Sequence, residues 1–215
     1  MKVLVTGSAS GIGRATALRF LEAGHAVTGL DLLPDTICRP GYVHIVFDLR
    51  REDLPKIPDV EILVNCAGVQ NSGEDIDVNL KSLIRVTERY GIRPGIRSIC
   101  NVASASGHSG AEFPEYAASK GGVLAYTKNA AMRVAEYGAT CNSISPGGVV
   151  TELNRHVLDD PTLWAQIMAE TPLKKWASAE EIADWIYFLT VTNRSMTAQD
   201  VIVDNGEMNN YHFVW

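Results

Sequence analysis

Short apolar runs alternate with longer segments of helical period along the whole chain. The runs are Lys2–Thr6, Ala26–Asp31, Val43–Phe47, Glu61–Asn65, Ile96–Ala103, Thr140–Ile144 and Val201–Val203. The helical segments are Arg14–Ala23, ended by Gly24, and Asp77–Tyr90, Glu115–Tyr137 and Ala179–Leu189. Strands that are apolar throughout and separated by helices indicate a parallel sheet with helices on both faces. The sequence therefore predicts an α/β fold, a doubly wound parallel sheet of about seven strands in one domain spanning residues 1–215.

Charge and composition exclude several classes of function. The net charge is −6 and Lys and Arg form no dense run, so no nucleic-acid partner is expected. No stretch of about 18 uncharged apolar residues occurs, so no membrane association is expected. The four cysteines lack CxxC spacing and MKVLVTG does not resemble a signal peptide, which predicts reduced thiols in a cytoplasmic protein. No trio of His, Cys or acidic residues has metal-ligand spacing, so no metal is expected.

A glycine-rich turn lies between the first strand and the first helix. It reads Thr6-Gly7-Ser8-Ala9-Ser10-Gly11-Ile12-Gly13. A helix N-terminus presents free N–H groups and a partial positive charge, and glycines let the backbone approach an anion closely. The turn therefore predicts a site for a dinucleotide pyrophosphate. The competing interpretation is a tight strand-to-helix turn that binds no ligand.

Two carboxylates end the second and third strands. Asp31 lies 18 residues beyond Gly13, where a carboxylate can accept hydrogen bonds from both ribose hydroxyls of the adenosine half. It would repel a 2′-phosphate, and no Arg follows it directly, so we expect NAD rather than NADP. Asp48 is suited to accept from the adenine amino group. Ordinary exposed acids at strand ends are the alternative for both.

Tyr116 and Lys120 lie four residues apart near the start of a predicted helix, on one face and one turn apart. A free tyrosine has a pKa of about 10. An ammonium group about 4 Å from the phenol stabilises the ionised form of the tyrosine by roughly 4 kcal/mol. This spacing predicts a general acid and base, and a surface pair without a role is the alternative. Ser104 follows the fifth strand, twelve residues before Tyr116, and is suited to bind a substrate carbonyl oxygen. Ser106 and Ser109 compete with it on spacing alone.

These residues occur in a fixed order with further motifs. Asn65-Cys66-Ala67-Gly68 follows the fourth strand, Pro146-Gly147-Gly148-Val149-Val150-Thr151 the sixth, and Val203-Asp204-Asn205-Gly206 comes near the end. Together with the glycine turn, Ser104 and the Tyr116–Lys120 pair, they resemble the short-chain dehydrogenase/reductase family. The resemblance runs from Met1 to about Gly206. It implies a Rossmann-like sheet of the compact, single-domain type.

The resemblance also implies a role for each matching residue. Tyr116 would exchange a proton with the substrate oxygen, Lys120 would lower the pKa of Tyr116 and bind the nicotinamide ribose, and Ser104 would orient the substrate. Asn79 matches the helix asparagine that holds a water in the proton relay. The NAD-binding residues would be Gly7, Ser10, Gly11, Ile12, Gly13, Asp31, Asp48, Leu49, Asn65, Ala67, Gly68, Tyr116, Lys120, Pro146, Gly147, Val149 and Thr151.

An apolar segment, about residues 151–172, follows the sixth-strand motif and is predicted to cover the substrate as a lid. The expected substrate is an apolar or mixed secondary alcohol or its ketone rather than a highly charged molecule. The predicted substrate-binding residues are Ser104, Ser106, His108, Tyr116, Gly148, Trp164 and Met168. Apolar faces on two long helices suggest subunit packing, and the family resemblance implies a homodimer or homotetramer built on these helices. The aromatic tail Asn209–Trp215 is expected to dock on the substrate edge or on a neighbouring subunit.

The predicted function is an NAD-dependent oxidoreductase that interconverts a secondary alcohol and a ketone. Two alternatives remain: a nucleotide-binding sensor without turnover, and a lyase or dehalogenase that uses Ser104 and Tyr116 without a nicotinamide. Three features depart from the family pattern. Cys66 replaces a common asparagine, the segment Gly68–Asn79 is short, and the loop Leu32–Tyr42 is too short and too rich in Pro and Gly for a full helix.

Overall fold

The computed structural model describes residues 1–51, 53–111 and 113–210. Its strands are β1 (Lys2–Thr6), β2 (Ala26–Asp31), β3 (Tyr42–Val46), β4 (Ile62–Asn65), β5 (Ser98–Val102), β6 (Thr140–Pro146), β7 (Val149–Val150), β8 (Ala177–Ser178) and β9 (Asp200–Val203). Seven of them form one sheet in the order β3–β2–β1–β4–β5–β6–β9, and β7 pairs with β8 separately. Every pair in the large sheet is parallel. The predicted doubly wound α/β fold is therefore confirmed.

The helices are α1 (Gly11–Glu22), α2 (Ser82–Val86), α3 (Ser106–Ser109), α4 (Pro114–Val134), α5 (Arg155–Leu158), α6 (Pro161–Glu170) and α7 (Ala179–Tyr187). The wider π turns Ile76–Lys81 and Thr87–Gly91 flank α2, and the π turn Phe188–Thr192 continues α7. A 3-10 turn, Ala135–Tyr137, continues α4. The predicted helices are all present, but the sequence pattern did not distinguish π turns from α-helix.

The strand side chains divide between two apolar layers, because successive residues of a strand point to opposite faces. Val3 and Val5 of β1 lie in one layer with Phe20 of α1, whereas Leu4 lies in the other with Val86 of α2. All five side chains are buried. The sheet is therefore packed on both faces near its centre, as the apolar runs predict.

The β3 edge of the sheet is partly exposed. Residues 32–41 form no helix, in agreement with the prolines there, and Ile37 of this loop packs into the core at 4% exposure. Val43 and Val46 of β3 are 59% and 60% exposed. In the described ranges, no helix has the length and apolar character needed to cross a membrane.

The first two strands have the predicted bounds, whereas the ends of β3, β4, β5, β6 and β9 differ from the prediction by one or two residues, as assignments at element ends commonly do. Gly24 follows α1 with φ +79°, which confirms its predicted left-handed conformation. The strand order reverses between β1 and β4, which lie side by side. In open α/β sheets ligands bind beyond the carboxyl ends of the strands at such a point. The fold thus sets the place at which a site is expected.

Candidate active site

A cleft of about 1570 Å³ opens beyond the carboxyl ends of β1 to β6. It exceeds the roughly 300–1,000 Å³ of typical small-ligand pockets. Nineteen of the predicted site residues line it: Gly7, Ser10, Gly11, Ile12, Gly13, Asp31, Asp48, Leu49, Ala67, Gly68, Ser104, Ser106, Tyr116, Lys120, Pro146, Gly147, Gly148, Val149 and Thr151. Residues far apart in sequence are thus brought to one edge of the sheet.

Two glycines of the turn, Gly7 and Gly13, have no space for a side chain. A Cβ on Gly7, which has φ +70°, would lie 2.8 Å from backbone atoms of Ala67. A Cβ on Gly13 would lie 2.0 Å from the Gly7 carbonyl oxygen. The first N–H groups of α1 have no acceptor inside the helix. Gly7 and Gly13 thus let the turn pack closely on itself and on the loop after β4, and the helix N-terminus that it leaves open to the cleft fits a bound dinucleotide pyrophosphate.

Thr6 joins the two strands at the switch point. Its Oγ1 accepts hydrogen bonds from the backbone N–H groups of Cys66 at 3.0 Å and Ala67 at 3.1 Å. These bonds hold the loop after β4 against the glycine turn. The thiol of Cys66 lines the cleft, and burial raises its pKa to about 12. It is therefore protonated at neutral pH and is a poor nucleophile.

Asp31 is fixed by backbone donors. Its Oδ2 accepts from the N–H of Ala9 at 2.9 Å and its Oδ1 from the N–H of Leu33 at 2.9 Å. A carboxylate has about four acceptor sites, so both oxygens can accept further bonds. Asp31 therefore presents an oriented acceptor pair to the cleft at the end of β2.

Asp48 and Arg50 form the cleft wall beyond β3. Arg50 Nε donates to Asp48 Oδ1 at 2.9 Å, and Nη1 pairs with Glu74 on the opposite wall. The Arg50 guanidinium lowers the pKa of Asp48 to about 2. Two carboxylates thus neutralise the one guanidinium group at this end. Arg50 and Glu74 were not predicted as site residues, because nothing in the sequence indicates that they meet.

Lys120 lies in the floor of the cleft. The residue is 5% exposed, and its Nζ donates to the carbonyl of Val102 at 2.9 Å and lies 5.7 Å from the centroid of the Tyr116 ring. Burial lowers the pKa of Lys120 to about 8. Helical spacing on α4 places both residues on the face toward the cleft, as the sequence predicts.

Ser104 and Asn79 flank this pair. Ser104 is buried at the end of β5, and its Oγ accepts from the N–H of Ser106 at 3.2 Å. Asn79 lies behind the cleft wall in a π turn, where its Oδ1 accepts from Val69 N–H and its Nδ2 donates to Val69 O and Ser119 Oγ. The Asn79 side chain therefore joins the loop after β4 to α4. Its role in holding a water stays a prediction.

Two predicted residues point away from the cleft because other polar groups engage them. Asn65 donates through Nδ2 to Thr87 Oγ1 and Asn101 Oδ1, each at 2.8 Å, and is buried between the strands and the helices. His108 on α3 lies with Nε2 2.8 Å from Asp200 Oδ2, at the far edge of the sheet. Neither side chain lines the cleft.

Trp164 and Met168 also lie outside the cleft. The α6 residues that line it are Leu163, Gln166, Ile167 and Glu170, which follow helical spacing. Trp164 and Met168 are each one position further on and occupy the adjacent face. Trp164 packs edge-on against Trp176 with ring centroids 5.2 Å apart, and Trp176 is the indole that lines the cleft. The predicted substrate contact of Trp164 is thus indirect.

Comparisons with known proteins decide the family. A family model described as enoyl-(acyl carrier protein) reductase matches residues 54–207, more than half of the chain. Glucose 1-dehydrogenase of Gluconobacter oxydans is 30% identical over 242 residues, covering 95% of this chain and 91% of that protein. The chain belongs to the short-chain dehydrogenase/reductase family. The resemblance stated from the motifs is therefore confirmed.

Other members of this family are similar over nearly their whole length. The 2-(R)-hydroxypropyl-CoM dehydrogenase of Xanthobacter autotrophicus is 29% identical, covering 94% of this chain and 96% of that protein. A solved structure of a 4-hydroxyisoleucine dehydrogenase mutant, complexed with NADH and succinate, is 25% identical with a TM-score of 0.86. The structural match covers 99% of this chain and 100% of the 4-hydroxyisoleucine dehydrogenase chain. Both relatives are dehydrogenases.

This short-chain dehydrogenase/reductase carries cleft residues that the sequence did not reveal. Besides Arg50 and Glu74 they include Gln166, Glu170, Thr171, Trp176, Glu207 and Asn210. One signal was available for Trp176: a Cβ on Gly148 would lie 2.0 Å from its ring, so the glycine pair after β6 indicates a bulky neighbour. Within the predicted tail, Tyr211–Trp215 lie outside the described residues, and Asn210 lies on the cleft.

Proposed function

We propose that the protein is an NAD(H)-dependent oxidoreductase that interconverts a secondary alcohol and a ketone, with Tyr116 as the general acid and base. One observation carries the proposal: Ser104, Tyr116 and Lys120 line the same cleft as a glycine turn in which neither Gly7 nor Gly13 has space for a Cβ. A cofactor site and a proton-transfer site therefore share one cavity.

The chain's own groups match the parts of a nicotinamide dinucleotide. The N-terminus of α1 suits the pyrophosphate, Asp31 the adenosine ribose and Lys120 the nicotinamide ribose. Pro146, Val149 and Thr151 line the remaining end of the cleft. When bound, the nicotinamide supplies or accepts the hydride.

Tyr116 handles the proton on the substrate oxygen. In the oxidation direction its phenolate takes the hydroxyl proton of the alcohol, and in reduction its phenol returns a proton to the ketone oxygen. The ammonium group of Lys120 favours the phenolate form by electrostatic attraction. With a pKa of about 8, Lys120 is mostly protonated at pH 7 and provides this charge. Ser104 Oγ hydrogen-bonds the substrate oxygen and holds it beside the phenol.

The adenosine end of the cleft supports NAD over NADP. Asp31 is fixed there by two backbone donors, and the charge of Arg50 is already paired with Asp48 and Glu74. A 2′-phosphate beside these carboxylates would meet repulsion without an unpaired cation to offset it. We therefore expect NAD to be preferred over NADP, because the Arg50 guanidinium is already paired with two carboxylates.

Turnover and binding must be measured separately to test the proposal. NADH binding is followed by fluorescence, and nicotinamide absorbance is followed with secondary alcohols, sugars, polyols, 3-oxoacyl thioesters and enoyl thioesters. We expect alcohol or ketone turnover, and a loss of about 10²–10⁴-fold in kcat for Tyr116→Phe with NADH binding retained. Binding of NADH without any turnover in the wild type would favour a sensor, and turnover without nicotinamide would favour a lyase or dehalogenase.

Cofactor preference is tested at Asp31. Asp31→Ala is expected to weaken NAD binding and to reduce the discrimination against NADP, because it removes an acceptor for the ribose hydroxyls and a repulsive charge. Asp35→Ala is the matched control, since Asp35 is exposed in the same loop and lies outside the cleft. A wild-type protein that binds NADP more tightly than NAD would contradict the interpretation of Asp31.

A further inference from the structure

Glu207 projects from the C-terminal segment onto the wall of the cleft. Its Oε1 accepts from Trp176 Nε1 at 3.2 Å and lies 2.8 Å from Thr171 Oγ1, whose one hydroxyl proton is shared between Glu207 and the Ile167 carbonyl 2.9 Å away. Thr171 is fully buried and is the residue directly after α6. Two side chains on different segments thus hold one carboxylate oxygen, which fixes the orientation of the whole group.

The second oxygen of Glu207 faces the turn after β6. Oε2 lies 3.0 Å from the position that a Cβ on Gly147 would occupy. Gly147 and Gly148 both line the cleft, and Trp176 packs against Gly148. Glu207 therefore lies beside the turn whose Pro146, Val149 and Thr151 we assign to the nicotinamide end, where the substrate must lie.

The charges around Glu207 disfavour an anionic substrate. Glu152 and Glu170 also line the cleft, and Arg155 Nε lies 3.6 Å from Glu152 Oε2. Among the described residues that line the cleft, the basic side chains are Lys120, at its floor, Arg50, paired with two carboxylates at the adenosine end, and His156 of α5. A carboxylate or phosphate group placed beside Glu207 would meet a like charge, which disfavours an anionic substrate at this position.

The remaining polar groups suit hydroxyls better than ammonium groups. An ammonium group only donates, whereas a hydroxyl both donates and accepts. The cleft wall offers the Glu207 carboxylate as an acceptor and the Gln166 amide as both a donor and an acceptor. We propose that Glu207 selects a neutral polyhydroxylated substrate, a sugar or polyol, by accepting a hydrogen bond from a hydroxyl next to the reacting carbinol. This inference rests on the proposed alcohol–ketone function.

The test compares substrate selectivity between variants. Wild type, Glu207→Gln and Glu180→Gln are assayed with NAD on a panel of aldohexoses and cyclic polyols, and on cyclohexanol as a monohydroxy reference. Glu180 is an exposed acid at the start of α7, outside the cleft, and serves as the matched control. We expect kcat/KM of Glu207→Gln on the best polyol to fall about tenfold or more, because a charged acceptor is lost. The kcat/KM of Glu207→Gln on cyclohexanol is expected to change by less than about twofold.

A second variant tests the same carboxylate by changing a residue that hydrogen-bonds it. Thr171→Val keeps the buried shape but removes a donor to Glu207 Oε1, and is expected to lower the ratio of polyol to cyclohexanol activity by a smaller factor. Equal losses on both substrates in Glu207→Gln would show a structural role and overturn the inference. Wild-type preference for cyclohexanol, for a hydroxy acid or for a cationic amino alcohol over every neutral polyol would also overturn it. If the wild type oxidises no alcohol although NADH binds, the proposed function itself fails.

Discussion

Replacing Lys120 with methionine isolates the free-energy cost of burying an ammonium group beneath the cleft. The residue is 5% exposed, and burial lowers its pKa from 10.5 to about 8. The acidic groups that favour its charged form are Cys66 and Asp75, and their effect is smaller than that of burial. The difference in pKa corresponds to about 3 kcal/mol of destabilisation carried by the protonated lysine.

The sign of the pH dependence follows from proton counting. Below pH 8 the lysine is protonated in the folded and unfolded chain, so the folded protein carries the whole cost. Between about pH 8 and 10.5 the folded protein has lost the proton and the unfolded chain has not, so the free energy of unfolding rises with pH. Lys120→Met lacks this rise. The unpaired Val102 carbonyl costs the variant about 1–3 kcal/mol, but equally at every pH.

Urea unfolding followed by tryptophan fluorescence at pH 7 and pH 10 measures the effect. The free energy of unfolding of the wild type minus that of Lys120→Met is expected to increase by about 2–3 kcal/mol between the two pH values. Lys128→Met, an exposed lysine on the same helix, is the control and is expected to change this difference by less than about 0.5 kcal/mol. Parallel pH dependences of wild type and Lys120→Met would refute the reasoning.

Three further variants test other contacts. Gly13→Ala places a Cβ 2.0 Å from the Gly7 carbonyl oxygen, so NADH titration should show a loss of affinity of at least about tenfold, and unchanged affinity would mean that the turn does not hold the cofactor. Asp200→Asn weakens the bonds that Asp200 accepts from His108 and Ser143, so urea unfolding at pH 7 should show a loss of about 1–3 kcal/mol; equal stability would contradict this. Gly148→Ala drives a Cβ into the Trp176 ring, so steady-state kinetics should show a higher KM for the alcohol with an unchanged Kd for NADH.

Much of the fold was predictable because it depends on local patterns. The runs Lys2–Thr6 and Ala26–Asp31 form strands with those bounds, since apolar β-branched residues between turn signals fix both strand and register. The π turn at Ile76–Lys81 was not predictable. Its extra residue per turn depends on tertiary contacts such as those of Asn79 with Val69 and Ser119, which no periodicity reports.

The cofactor half of the site was easier to predict than the substrate half. Gly7, Gly13, Asp31 and Lys120 lie directly after strands or at helical spacing, so the topology determines their positions. His108 was assigned to the substrate from its position in the chain. Its ring instead pairs with the partly buried Asp200, which lies 92 positions further on. Glu207 reaches the cleft through Thr171 and Trp176, and only three-dimensional packing brings those three together.

The hydrogen bond from Lys120 to Val102 ties α4 to β5 two positions before Ser104. The groups proposed for the chemistry are thereby anchored to a strand and a helix of the central scaffold, whereas Gln166, Thr171 and Trp176 belong to a separate covering segment. Random sequence drift in that covering segment can thus alter which molecule is accepted without disturbing the spacing of the reacting groups. Proteins descended from such a chain can therefore differ in substrate while they retain the same reaction.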